Sequence, residues 1–204
     1  MGIDVYYNAM IEDSDFFRLA KADFNYYDFL TDLTTSYEAI YAPWIYSDEE
    51  PTSMDLKIIE ARKALRKTNI GIENRNHFTR AWDIFLWLLS EQRRAGTYVD
   101  EITDIWGRAI IGGDYVYKGI DYTEPRFLNA QEVQIITEKL ISVSEDDLRK
   151  FYTPDINGNV YKFRYYIENP DQSFKQILER FNWLRDFYKS VAENNEGVVT
   201  TRWG

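Results

Sequence analysis

The residues best suited to chemistry in this 204-residue chain are one arginine and two aspartates. Arg126 lies in "EPRFLNAQEV", residues 124–133, between Pro125 and an apolar pair, just ahead of a helix-start signal. A rigid proline before it and a helix after it would fix the guanidinium. It could then bind an anion or a partner carboxylate, or tie the extended stretch to an acidic helix. Asp83 and Asp104 fall on mostly apolar segments, where two paired carboxylates would have raised pKa values. With Arg126 they would equip the cleft of a small enzyme, a hydrolase being the simplest case. The commoner roles are structural: a tie from Arg126 to Asp83 or Asp104, and aspartates that cap helices or pair on their surfaces. His77 is the single histidine. With no nucleophile elbow in view it suggests no Ser/His/Asp triad, and one histidine cannot build a histidine metal cluster. The chain has no cysteine, which excludes disulfides, zinc thiolates and cysteine nucleophiles. Gly112-Gly113 lacks a following Gly-Lys-Ser and reads as a helix stop, not a phosphate loop; no EF-hand spacing appears. No metal or cofactor is expected.

A second set of residues suits recognition better than catalysis. Between Asp100 and Glu124 lie Asp100, Glu101, Asp104, Trp106, Asp114, Tyr115, Tyr117, Asp121 and Tyr122. Tyrosine and tryptophan supply stiff contact area, and carboxylates steer a basic partner. Half of these aromatics could equally be core. The formal net charge of -10 disfavours generic nucleic-acid binding. Residues 57–94 run against that trend, with nine Lys/Arg and four acids, so surfaces of opposite sign are expected if the segments stay apart. The opening "MGIDVYYNAM" has no basic and apolar leader pattern. The longest strongly apolar run, "IFLWLL" at 84–89, is far short of the roughly 20 residues a membrane helix needs. A cytoplasmic protein without a membrane segment is expected.

Elements must position these groups. "GIDVYYNAM" alternates and reads as a strand. "DSDFFRLAKADFNYYDFLTDL" reads as two helical pieces capped by Asp13 or Ser14. "SMDLKIIEARKALRKTN" places Met54, Ile58, Ala61 and Leu65 on one helical stripe. "NHFTRAWDIFLWLLSEQRRAG" is apolar nearly all round and predicts a buried central helix with Trp82 and Phe85 in the core, running on to Arg93 and Arg94. Residues 100–111 read as a short helix closed by Gly112-Gly113. "PRFL" is extended. Asn129 with Glu132, and Ser144 with Asp147, have capping-box spacing. Asn157-Gly158 signals a tight turn. "QSFKQILERFNWLRDFYKSVAENN" is the last helix, with Gly197 as its stop, and "VVTTRW" is a closing strand. The order predicts a helix-rich α+β fold, a single domain over 1–204 whose end strands pair in one small sheet.

"RAWDIFLWLL" at 80–89, "GRAIIGGD" at 107–114, "EPRFLNAQEVQIITEKL" at 124–140 and "FNWLRDFYKSVAENNEGVV" at 181–199, with the opening "MGI", together resemble the YfbM-like family, domain of unknown function 1877. The resemblance covers essentially the whole chain. It implies a compact bacterial α+β domain of cytoplasmic type and carries no catalytic residues over. Family members often have a histidine where Leu86 stands here. The approach to Pro125-Arg126 is thinned to "GIDYTEPR", and residues 35–75 match nothing in the pattern. The function expected from all this is a non-enzymatic protein-binding module, most concretely an immunity-type protein that neutralises a cognate toxin carrying a basic patch. The alternative is the small enzyme using Arg126 with Asp83 or Asp104.

Overall fold

The computed structural model describes residues 4–35, 53, 56, 65–66, 81–117, 125–153, 159–161 and 169–203. His77, Tyr122 and the Asn157-Gly158 turn lie outside the described residues, as does nearly all of 36–80. Strand β1 (Asp4–Met10) is followed by α1 (Asp15–Ala22) and α2 (Phe24–Thr35), then β2 (Leu65–Arg66). Helices α3 (Trp82–Leu89), α4 (Glu91–Arg94) and α5 (Ile105–Ile111) come next, then β3 (Asp114–Tyr115) and β4 (Arg126–Leu128). Helices α6 (Ala130–Ser142), α7 (Glu145–Phe151) and α8 (Pro170–Glu193) precede β5 (Gly197–Trp203).

The fold is helix-rich α+β, built on a small antiparallel sheet in the order β2-β1-β5-β4-β3. The two terminal strands form its centre: Asp4 to Met10 pair with Trp203 to Gly197. Alternate side chains point to opposite sides of the sheet, and each side contributes apolar residues to a core. Val5, Ala9, Leu128 and Val198 join the larger core with α3, α5, α6 and α8. Met10, Phe127 and Val199 join a second core with Phe16, Phe17, Tyr27 and Leu30 of α1 and α2. Helices therefore cover both faces, and a buried hydroxyl pair, Thr34 with Thr201 at 2.8 Å, pins α2 to β5.

Trp82 and Phe85 are buried, as the nearly all-apolar α3 requires; only Trp87 and Leu89 of that helix are partly exposed. The helix does not run on to Arg94. It stops at Ser90, whose hydroxyl donates to Asp104 Oδ2 at 2.6 Å and accepts from the Arg93 amide at 3.1 Å, starting α4. Arg94 folds back onto the freed carbonyls of Trp87 and Leu88, the expected cation at a helix C-terminus. Residues 100–111 likewise divide into a 3-10 turn (Val99–Glu101) and α5. The last-turn carbonyls of Ala109 and Ile110, without partners inside α5, accept from the buried phenols of Tyr188 at 2.7 Å and Tyr7 at 2.8 Å. Burial raises the pKa of both phenols, so they stay donors.

Both capping boxes form, at Asn129/Glu132 and Ser144/Asp147, and Ser14 caps α1. Two further expectations fail. Leu65 and Arg66 are a strand pairing with Met10 and Ala9, not part of a helix. Gly197 does not end α8, which stops at Glu193. Asn195 takes the left-handed conformation (φ 53°) and Gly197 opens β5 against the Phe127 ring.

Candidate functional site

The β3–β4 end of the sheet carries Arg126, Asp114 and Tyr115. Gly112 has φ 107°, and a Cβ there would lie 2.4 Å from Thr200 Oγ1 and 2.8 Å from Arg126 Cβ. One at Gly113 would lie 2.1 Å from the Phe127 carbonyl oxygen. Both glycines are thus required for the chain leaving α5 to lie flat against β4. That approach pairs Tyr115 with Arg126, which in turn faces Thr200.

Arg126 is a tie, and its carboxylate is neither Asp83 nor Asp104. Its Nη2 bonds to Asp100 Oδ1 at 3.2 Å and to the Tyr115 hydroxyl at 2.8 Å, and its guanidinium lies 4.5 Å from the Tyr115 ring centre. Arg202 on β5 grips the same Asp100 with both arms, at 2.8 and 3.1 Å. A fork-to-carboxylate contact of this kind is strong and orientation-specific. It fastens the 3-10 turn to two neighbouring strands.

The two aspartates of the enzymatic reading are elsewhere, and each is occupied. The Asp83 side chain, 3% exposed, takes both arms of Arg93 at 2.8 and 3.1 Å and the Tyr161 amide at 2.7 Å. Asp104 caps α5 through the Gly107 amide at 2.8 Å and accepts the Ser90 hydroxyl. The structure brings neither to Arg126 by any bond, so the proposed Arg126–carboxylate constellation is not formed with either. Among the described residues no group of three or more His, Asp or Glu is placed to hold a metal ion. No described helix is long and apolar enough to cross a membrane.

The acidic-aromatic set is divided by the fold. Trp106 packs partly buried on the larger core. Tyr117 packs against Tyr27 on the second core, the two tilted rings 5.3 Å apart. Asp100 and Asp104 serve the bonds just described. Glu101, Asp114 and Tyr115 face solvent, the Asp114 side chain 91% exposed and Tyr115 42%. Tyr98, two residues before Asp100, is 67% exposed; an aromatic two residues after Gly96, which takes a positive φ of 87°, was the available signal, and the sequence reading missed it.

Beside Tyr115 opens a cleft of about 280 Å³. Asp114, Tyr115 and Val116 form one side, and Phe127, Asn129 and Glu132 another. Glu12 and Lys21 complete it. Glu132 is engaged by Arg108 and by the Asn129 amide. Arg108 also reaches Asp114, at 3.6 Å. Sequence reasoning had no access to Glu12 and Lys21, which reach the cleft from the turn after β1 and from the last turn of α1 as that helix packs on the sheet.

Set beside known proteins, the chain finds no match among curated sequences. A crystal structure of YfbM from Escherichia coli, a protein of unknown function, is similar over 97% of this chain and 99% of its own, with 18% identity and a TM-score of 0.57. That likeness is one of fold. Residues 1–201 match the family described as a domain of unknown function, DUF1877, and the chain belongs to that family.

Proposed function

We propose that this protein is a non-enzymatic binding module, most concretely a cytoplasmic immunity-type protein that covers and neutralises a toxin bearing a basic patch. The observation that supports this best is the state of Tyr115. Its ring is exposed, yet its hydroxyl and face are both held by Arg126. Immobilising a side chain at an interface costs about 0.5–1.5 kcal/mol; a tyrosine already fixed avoids most of that. Exposed Tyr98 and the solvent-facing carboxylates Glu101 and Asp114 lie along the same segment. Aromatic anchors with acids beside them suit a basic protein surface. The net charge of -10 adds a long-range attraction.

The test is kinetic. The partner is sought first among the products of neighbouring genes, by co-purification and by rescue of growth from a co-expressed toxin. Association and dissociation rates are then measured at low and high salt. The on-rate is expected to fall as ionic strength rises, because screening shortens the field to about 8–10 Å near physiological salt. Glu101→Lys with Asp114→Lys should slow association, whereas Tyr115→Ala should speed dissociation at least several-fold. A salt-independent on-rate, or a Tyr115→Ala protein that binds with wild-type kinetics, refutes the surface assignment.

A further inference from the structure

The cleft beside Tyr115 has a size and chemistry that go beyond a general acidic surface. At about 280 Å³ it lies under the roughly 300–1,000 Å³ of small-molecule sites, which leaves room for one inserted side chain. Phe127 supplies an aromatic wall, and that ring already attracts an ammonium: Lys21 Nζ lies 4.9 Å from its centre and 4.3 Å from that of Phe17. A cation over an aromatic face is held by the ring quadrupole. Lys21 stands in the last turn of α1, is exposed, and makes no salt bridge with a described residue. Glu12, across the same cleft, also pairs with no described cation; its one bond is a long 3.4 Å contact from the Ala130 amide. Asp114 is nearly fully exposed at the mouth, with only a 3.6 Å pairing to Arg108. The cleft therefore combines an aromatic wall that holds an ammonium with two carboxylates that have capacity for one.

We infer that this cleft receives a lysine side chain of the protein partner, its ammonium passing between Glu12 and Asp114 onto the ring of Phe127, with Lys21 as the resident cation it displaces. The inference rests on the protein-binding reading and places the partner's anchor next to Tyr115. Lys21 then acts as a competitor. Without a partner it covers the ring. When a second ammonium arrives, Lys21 swings to solvent, giving up its two ring contacts but no salt bridge to a described carboxylate.

The experiment is amide NMR of the full chain titrated with N-acetyl-lysine methylamide, with N-acetyl-norleucine methylamide as the uncharged control. Saturable shifts at Val116, Phe127 and Asn129 are expected with the lysine probe and not with the norleucine probe. Asp114→Asn, a change at an exposed position, and Glu12→Gln should each weaken the lysine response several-fold, and Lys21→Met should strengthen it. Equal shifts with norleucine would make the cleft a mere apolar notch and overturn the inference. So would a lysine response unchanged by both carboxylate variants, or no saturable response at all. If the probe fails while Tyr115→Ala still weakens the natural complex, the cleft assignment falls and the binding reading stands. If Tyr115→Ala has no effect on that complex either, both fall.

Discussion

The Asp83–Arg93 pair decides whether the apolar centre of the molecule is organised by an ion pair or merely tolerates one. Asp83 sits in the first turn of α3 with its side chain 3% exposed, against 16% for Arg93. Two charge-assisted bonds join them, and Asp83 also holds the Tyr161 amide, tying in a distant part of the chain. Removing one member of a buried pair costs about 3–5 kcal/mol, because the other charge is left uncompensated. The two halves should not cost the same. Asp83→Asn leaves Arg93 with its bond to the Asn159 carbonyl at 2.6 Å and some access to water, so about 3 kcal/mol is expected. Arg93→Met strands the more deeply buried carboxylate and should cost about 4–5 kcal/mol. At about 2–4 °C per kcal/mol for a chain of this size, Tm should fall by about 6–12 °C and 8–20 °C respectively. Urea denaturation gives both values, and the double variant should be less destabilised than the sum of the singles. An Asp83→Asn protein as stable as wild type, or additive singles, would refute the argument that this aspartate is a structural partner.

Trp82→Ala should cost about 3–5 kcal/mol in the same denaturation assay, since a buried indole stacked near Tyr161 is lost and a cavity remains. Arg126→Lys should recover only part of the stability lost in Arg126→Ala, because an ammonium cannot both grip Asp100 and stack as a plane on Tyr115; equal melts for Lys and wild type would contradict this. Gly112→Ala should destabilise by about 1–3 kcal/mol through its positive φ and its collision with Thr200 and Arg126, read as a lowered urea midpoint. Asp147 is held below its ordinary pKa by the Ser144 hydroxyl and then by the Ser144 amide. A depressed native pKa stabilises above the unfolded value, roughly 3.9, and that contribution is lost as pH falls through the native value. A side-chain NMR titration should show the low midpoint, and Ser144→Ala should raise it.

Local signals carried the elements they could reach. Ser14, the Asn129/Glu132 box and the Ser144/Asp147 box each act within three residues, so the start of α1, α6 and α7 could be read directly. The apolar face of α8 was legible for the same reason, since its period repeats over 24 residues. The break at Ser90 was not read, although Ser90 caps α4 through the Arg93 amide, because the apolar run and the arginines after it fit one continuous helix, and the bond that also holds Ser90 comes from Asp104 fourteen residues away. Strands β2 and β3 are two residues each, too short for any period to show. At the site, the sequence indicated that Arg126 is pinned but named the wrong carboxylate. Asp100 is chosen by the register of β4 beside β5, which brings Arg126 and Arg202 to the same group. Glu12 enters the cleft from the turn between β1 and α1 and Lys21 from the last turn of α1, and nothing adjacent to them in the chain marks it.

Arrangement of the edge also separates what can vary from what cannot. Gly112 and Gly113 let the chain press on β4, and that contact sets Tyr115 over Arg126. Arg126 and Arg202 share Asp100, and the strands that bear them carry Phe127 and Val199 into one core and Leu128 and Val198 into the other. A change at any of these supports therefore disturbs packing before it alters a surface. Tyr98, Glu101, Asp114 and Tyr115 lie outward of the supports, and little of the core depends on their identity. Under the binding function proposed above, a change of partner would need only outward side chains such as Tyr98 and Glu101 to be exchanged on an unchanged frame. Changes at Tyr98 and Glu101 should accordingly alter association and dissociation rates while leaving the unfolding free energy within about 0.5 kcal/mol of wild type, whereas Tyr115→Ala also strips Arg126 of a partner and should lower stability measurably.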